Sequence, residues 1–262
     1  MSLFRYSGNK SRMISRYRDF AKLPVPPGTV RMVEPYLGSG SFTLSALKKR
    51  AVDVGVGFDL DPNVITLWRW LQEEGAEDAL RELSLWYEAQ TEKVDVRTIP
   101  ELSEGARLYL KINVCSVSVG QWSSWSIYPE QHRLPLGATL SWLRWARKME
   151  VLESSALGYE PREGDAVFLD PPYAGTSGNY SGEEGYDPKE ALAIVDRCRE
   201  AGVPVLFSYG DGADQVYPSL PWELVCIRQV PNLRKGGTVE RREYLARIGW
   251  PSGPPSVFDL FG

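Results

Sequence analysis

The residues best suited to chemistry stand together in Asp170-Pro171-Pro172-Tyr173. The two prolines fix the backbone and carry no N–H, which leaves their carbonyl oxygens to accept hydrogen bonds. The Asp170 carboxylate and the Pro171 carbonyl can together accept both hydrogens of an –NH2 group. That grip turns the nitrogen lone pair away from a conjugated ring and toward an electrophile. Tyr173 adds a flat face on which an unstacked base can lie. The tetrapeptide directly follows Ala166-Val167-Phe168-Leu169, which reads as a strand, and ligands of open α/β sheets bind at strand ends. A rigid proline turn with a polar cap is the plainer reading, and the placement at a strand end favours chemistry.

A second constellation is Glu34-Pro35-Tyr36-Leu37-Gly38-Ser39-Gly40-Ser41, between an apolar strand and the helix after it. Gly38 and Gly40 let the backbone approach a ligand closely, and the helix start offers N–H donors. The third glycine of the dinucleotide fingerprint is missing, which counts against NAD or FAD. Asp59 ends the next strand about twenty residues later, where an acid accepts hydrogen bonds from a ribose in nucleotide-binding folds. Asp61, before Pro62, reads as a helix N-cap, and the two acids can exchange roles. Tyr6-Ser7-Gly8-Asn9-Lys10-Ser11 is not a P-loop, because Asn9 stands where the motif needs glycine before its lysine.

The elements that must hold these groups alternate. Val30–Glu34, Val52–Leu60, Asp165–Leu169 and Val203–Ser208 read as strands, and Phe42–Arg50, Pro62–Leu71 and Pro188–Ala201 as helices. Proline at a first helical turn costs no hydrogen bond, and Lys48-Lys49-Arg50 suits a helix C-terminus. Trp222–Arg228 and Arg242–Ile248 read as a closing pair. This rhythm predicts an α/β fold with a Rossmann-like, doubly wound, mostly parallel sheet. Residues 75–160 read differently. Helices over Ala79–Ala89, Leu102–Val114 and Leu140–Met149 flank a polar, Ser- and Trp-rich stretch, Ser116–Gly137. The predicted organisation is a discontinuous domain over 1–74 and 161–250, a helical insertion over 75–160, and an extended tail over 251–262.

Composition narrows the function classes. The 262 residues are 43% hydrophobic, enough for a sizeable core, and no apolar run is long enough to span a bilayer. The start turns polar and basic at once, so a cytoplasmic protein is expected. Three scattered cysteines and a single histidine, His132, argue against a disulfide framework, a zinc site and a His-dependent nucleophile. The net charge is −4, yet cations gather at the two ends. Arg5, Lys10, Arg12, Arg16, Arg18 and Lys22 face only Asp19, and Arg228, Arg234, Lys235, Arg241, Arg242 and Arg247 face Glu240 and Glu243. If the ends meet they make a phosphate-binding face; otherwise they are solvated surface.

Taken in order, these pieces resemble the adenine-N6 DNA methyltransferases related to the Dam enzymes, the D12 class. Those enzymes carry an aromatic-x-Gly-x-Lys, a Glu-Pro-Phe-x-Gly-x-Gly, an acidic strand end, a target-recognition insertion and Asp-Pro-Pro-Tyr. Here the matching segments are Tyr6-Ser7-Gly8-Asn9-Lys10, Glu34 to Gly40, Asp59 and Asp170 to Tyr173, with Gly236-Gly237-Thr238 and Glu243-Tyr244-Leu245 resembling the closing segment. The resemblance implies S-adenosylmethionine as cofactor. Tyr6, Lys10, Glu34, Pro35, Tyr36, Gly38, Ser39, Gly40, Asp59 and Asp170 would bind it, with Tyr36 to Gly40 around the methionine part and Asp59 on the ribose. Asp170, Pro171, Pro172 and Tyr173 would be catalytic, in a direct methyl transfer without a metal. The implied partner is double-stranded DNA with its target base flipped out. The resemblance further implies a cytoplasmic, bacterial or phage-encoded enzyme and allows a cognate restriction endonuclease.

The resemblance departs at two places. Leu157 falls where the family often carries an Asp against the cofactor's adenine. The recognition segment reads Ser116-Val117-Ser118-Val119-Gly120-Gln121-Trp122-Ser123-Ser124-Trp125 instead of being rich in Asn and Arg. Gln121, Ser123, Ser124 and Arg133 can read base edges or phosphates. Trp122 and Trp125 are expected to pack the insertion more than to wedge into a duplex. Cytosine N4, RNA adenine and protein glutamine also present –NH2 groups and would use the same grip. A non-catalytic DNA-binding relative is the reading from a different class.

Overall fold

The computed structural model describes residues 3–4, 25–115, 125–127, 129, 132–173, 186–231 and 237–251. In chain order these form β1 (Arg31–Glu34), α1 (Ser41–Lys48), β2 (Val54–Asp59), α2 (Pro62–Gln72), α3 (Ala76–Glu88), β3 (Val94–Asp95), α4 (Glu104–Val114) and β4 (Ser126–Ile127). They continue with α5 (Leu136–Ala146), β5 (Met149–Glu153), β6 (Asp165–Leu169), α6 (Pro188–Glu200), β7 (Val205–Tyr209), α7 (Ala213–Val216), β8 (Trp222–Pro231) and β9 (Thr238–Ile248). Local chemistry sets the boundaries. The Asp61 carboxylate caps α2 by accepting from Asn63 N–H at 2.9 Å, with Pro62 at the first helical position. Asp187 and Pro188 open α6 in the same way.

A seven-stranded sheet runs β5-β2-β1-β6-β7-β9-β8. β5, β2, β1, β6 and β7 are parallel, while β9 lies antiparallel between β7 and β8. Side-chain alternation along the central strands feeds two cores. Met32, Ala166, Phe168 and Leu206 join one apolar cluster, and Val33, Val167, Leu169, Val205 and Phe207 join the other. Every residue of β6 and β7 is buried, as expected of parallel strands covered on both faces. The fold is the α/β, doubly wound and mostly parallel architecture that the sequence predicts. β1, β2 and β5 proceed toward one edge and β6 and β7 toward the other, so the strand order reverses between β1 and β6. The crevice at the carboxyl ends of these two strands is the topological switch point, where open α/β sheets bind ligands.

The 75–160 boundary needs correction. Met149, expected to end a helix, instead begins β5, which pairs with β2 from Gly55↔Met149 to Asp59↔Glu153. The strand was hard to read because it is an edge with mixed exposure, its two glutamates facing solvent. Helix α5 accordingly ends at Ala146. The helices before it are not a detached body among the described residues. Leu80, Leu83, Tyr87, Tyr109, Leu110 and Leu143 share one cluster with Met32 and Phe168 of the sheet. Leu3 and Phe4 are buried in the same core, with Thr139 Oγ1 donating to the Leu3 carbonyl at 2.9 Å. Below the sheet's amino end, Arg31 makes a two-pronged ion pair with the buried Asp165 at 2.6 and 2.8 Å. The expected tail lies outside the described residues beyond Pro251. Among the described residues no helix is long and apolar enough to cross a membrane.

Candidate active site at the switch point

The glycine turn between β1 and α1 is shaped by contacts from two other elements. Gly38 and Gly40 take φ of +46° and +58°, conformations that glycine adopts without strain. From α2, the fully buried Trp68 donates its Nε1–H to the Gly38 carbonyl at 2.8 Å. Its ring leaves no room at Gly40, where a Cβ would lie 2.7 Å from Trp68 Cζ2. From β2, Asp59 receives Gly38 N–H on Oδ2 and Asp61 N–H on Oδ1, both at 2.9 Å. Burial pushes the Asp59 carboxyl up to about 6, against the pull of these N–H donors. Asp59 is thus the strand-end acid beside the turn, and Asp61 is the cap. Ser39 and Ser41 hydroxyls pair at 2.8 Å within the turn.

Glu34, at the end of β1, is buried and accepts Thr43 N–H at 2.7 Å, tying β1 to the first turn of α1. Burial pushes its carboxyl up to about 8; the Thr43 N–H opposes this and the charge of Asp170 adds to it. β1 and β6 pair in parallel, with Val33 opposite Val167, so the glycine turn and the tetrapeptide leave neighbouring strand ends. Pro35 is buried, and the half-buried Tyr36 ring meets the Tyr186 ring edge-on at 5.8 Å between centroids. The Tyr186 hydroxyl in turn pairs with that of Tyr217 at 2.9 Å.

Asp170 and Tyr173 are held from β7 and β9. Half-buried Asp170 accepts Ser208 Oγ–H on Oδ1 at 2.8 Å. Pro171 is buried and Pro172 half-buried. The Tyr173 ring packs on Tyr209 with centroids 4.7 Å apart and a tilt of 52°. Its hydroxyl donates to Glu243 Oε2 at 3.0 Å. The arrangement provides a carboxylate acceptor and an oriented aromatic ring at the carboxyl edge of the parallel strands, beside the glycine turn. Such a site can bind a nucleoside-containing cofactor and grip an amino group on a planar acceptor.

The structure therefore brings together Glu34, Pro35, Tyr36, Gly38, Ser39, Gly40, Asp59 and the tetrapeptide. Tyr6 and Lys10 lie outside the described residues, as do Gln121, Trp122, Ser123, Ser124 and Gly236. Trp125 packs against the core with Lys111 Nζ 4.2 Å from its ring centroid, and Arg133 is exposed. His132 is a loop residue whose carbonyl accepts the Tyr87 hydroxyl. Leu157 is not at a strand end. It is 41% exposed in a short 3-10 turn, Ala156–Gly158, whereas Glu153 and Ser154 flank Asp59 at the carboxyl end of β5. In β9 the arginines are paired, Arg241 with Asp211, Arg242 with Glu240 and Arg247 with Glu223. Trp68, Ser208 and the partnership of Glu243 were not anticipated. The position of Ser208 at the end of a predicted strand was the available signal for one of them.

No family model matches the chain, and no curated protein matches it. Among solved structures it is similar to the rRNA methyltransferase aviRa of Streptomyces viridochromogenes, at 16% identity and a TM-score of 0.42, over 91% of this chain and 85% of that one. A Haemophilus influenzae protein described as a methylase is similar at 14% identity and a TM-score of 0.35, over 91% and 99% of the two chains. A Listeria monocytogenes protein described as a class I S-adenosylmethionine-dependent methyltransferase is similar at 11% identity and a TM-score of 0.38, over 95% and 64%. What the site can do follows from its own residues.

Proposed function

We propose that this protein is an S-adenosylmethionine-dependent methyltransferase acting on an exocyclic amino group, with adenine N6 in duplex DNA as the acceptor. The observation that carries the proposal is the Asp170 carboxylate, held by Ser208 just after β6, the strand next to the one that leads into the glycine turn. The residues present fit the cofactor. Gly38 and Gly40 hold the turn in its positive-φ path, and Asp59 supplies a half-buried carboxylate for ribose hydroxyls at the neighbouring strand end. When bound, S-adenosylmethionine supplies an electrophilic methyl group on a sulfonium.

The remaining chemistry belongs to the chain. Asp170 and the Pro171 carbonyl accept the two amino hydrogens and release the nitrogen lone pair from the ring. Tyr173 holds the acceptor ring by stacking, and Asp170 is placed to take the amino proton that the product no longer carries. DNA is favoured by the resemblance to Dam-type enzymes and by the helical segment α3 to α5, which gives a recognition surface room between the cofactor turn and the tetrapeptide. The target base would have to leave the stack to reach Tyr173.

The test is transfer of labelled methyl to duplex DNA, RNA and protein, followed by modification-sensitive sequencing of the labelled DNA. The expected product is N6-methyladenine in DNA. Asp170→Ala should reduce transfer by roughly 10²- to 10⁴-fold, the scale of a positioned proton acceptor, while keeping most of the cofactor affinity. Label in RNA or protein alone would move the acceptor away from DNA. Full activity in Asp170→Ala would remove the central claim.

A further inference from the structure

Tyr173 is constrained from three directions. Its ring lies tilted on Tyr209, its Cε2 edge abuts Gly210 and its hydroxyl donates to Glu243. A Cβ at Gly210 would lie 2.6 Å from Tyr173 Cε2, so any side chain there would displace the ring. Glu243 follows the same strip of structure. Tyr209 pairs with Tyr244 across β7 and β9, and Glu243 is the next residue along β9 on the side of Gly210. The strip also holds Asp170, through Ser208.

Glu243 is chemically costly where it stands. It is 5% exposed, and burying a carboxylate disfavours folding unless strong hydrogen bonds compensate. What a carboxyl group adds is a directional acceptor for the Tyr173 phenol, at 3.0 Å. This fixes the far end of the Tyr173 ring while Tyr209 fixes its plane. A planar acceptor stacked on that ring meets Asp170 at the right height only if the plane does not tilt, and small misplacements of a reacting group cost large factors in rate.

We propose that Glu243 is a positioning residue for the acceptor, acting through the Tyr173 hydroxyl; the inference rests on the amino-group methyl transfer proposed above. It touches neither cofactor nor acceptor in this role. The consequence is a defect in the transfer step with cofactor affinity intact.

The experiment compares Glu243→Ala, Glu243→Gln, Tyr173→Phe and the Glu243→Ala/Tyr173→Phe pair in single-turnover methylation of DNA. S-adenosylhomocysteine affinity is measured by calorimetry. Glu243→Ala is expected to slow transfer by about 100-fold with affinity unchanged. Glu243→Gln, whose amide oxygen still accepts the phenol, should recover most of the rate. Tyr173→Phe should fall by a similar factor, and the pair should fall no further, because both remove one bond. If Glu243→Ala does not fold, Tyr173→Phe reads the same bond from its other end. In parallel, 3-fluorotyrosine placed at position 173 should give a 19F resonance that shifts in Glu243→Ala and stays in Glu243→Gln. A wild-type protein that methylates no acceptor would defeat the methyl-transfer reading. An active wild type with an equally fast Glu243→Ala, or an unmoved 19F signal, would defeat the positioning role.

Discussion

Ser208 Oγ–H donates to Asp170 Oδ1 at 2.8 Å, and Ser208 is fully buried on β7 while Asp170 follows β6. The bond fixes the plane of the carboxylate that, with the Pro171 carbonyl, is proposed to grip an acceptor amino group. Hydrogen bonds to charged groups contribute roughly 1.5–3 kcal/mol, and each 1.4 kcal/mol of lost alignment is about tenfold in rate. Ser208→Ala should therefore slow single-turnover methylation by about tenfold or more, with cofactor affinity within about twofold of wild type. An unchanged rate would mean that Asp170 is aimed by other contacts.

Asp59 gives the site a pH signature. Burial holds its carboxyl near 6, above the ordinary aspartate range. The ionised form is the one suited to accept ribose hydroxyls while keeping its bonds from Gly38 and Asp61. Cofactor affinity should then be constant above pH 7 and fall as pH drops through 6, reaching about tenfold weaker at pH 5. Calorimetric titration with S-adenosylhomocysteine between pH 5 and 8 measures this. Asp59→Asn should bind more weakly at pH 7.5 and lose the slope, and a wild-type profile in that variant would move the ribose contact elsewhere.

How far the sequence carried these conclusions depended on how local each feature is. β6 was read at its true bounds, because an apolar run closed by Asp165 and Pro171 has little freedom to be anything else. The glycine turn and Asp59 were legible for the same reason: a strand, a turn and a helix in immediate succession. β5 was missed because an edge strand needs only one covered face and carries no clean pattern. The contacts that orient the site were illegible for a different reason. Trp68 reaches Gly38 over 30 residues, Ser208 reaches Asp170 over 38, and Glu243 reaches Tyr173 over 70. Only the strand order places them together, and the spacing of residues along the chain does not encode it.

Trp68 is the wall behind the glycine turn, and that wall can be tested by pairing substitutions. Gly40→Ala forces φ of +58° on a residue with a Cβ, at a cost of roughly 1–2 kcal/mol. It also drives that Cβ to 2.7 Å from Trp68 Cζ2. Trp68→Phe removes the partner of the buried Gly38 carbonyl, a loss of about 1–3 kcal/mol. Each variant should melt lower and bind cofactor at least tenfold more weakly. The pair should lose less than the sum, because the smaller ring makes room for the alanine. Strict additivity in thermal melts and binding would show that the ring does not press on the turn.

Glu34 makes folding stability depend on pH in an unusual direction. Its carboxyl is pushed up to about 8, first by burial, while the Thr43 N–H bond pulls the other way and Asp170 pushes further. In the unfolded chain it titrates near the ordinary glutamate value, about 4.3. Between these values the folded state keeps a proton that the unfolded state has released, so stability is full below the lower value and declines as pH rises. The slope approaches about 1.4 kcal/mol per pH unit and levels off above pH 8. Glu34→Gln keeps an oxygen for Thr43 N–H and has no charge to bury beside Asp170. The variant should fold, match wild type near pH 5 and exceed it at pH 8, with this component of the pH dependence removed. Urea denaturation at pH 5, 6.5 and 8 measures the difference. Wild-type stability that rises in parallel with the variant across this range would show that Glu34 is ionised in the folded protein.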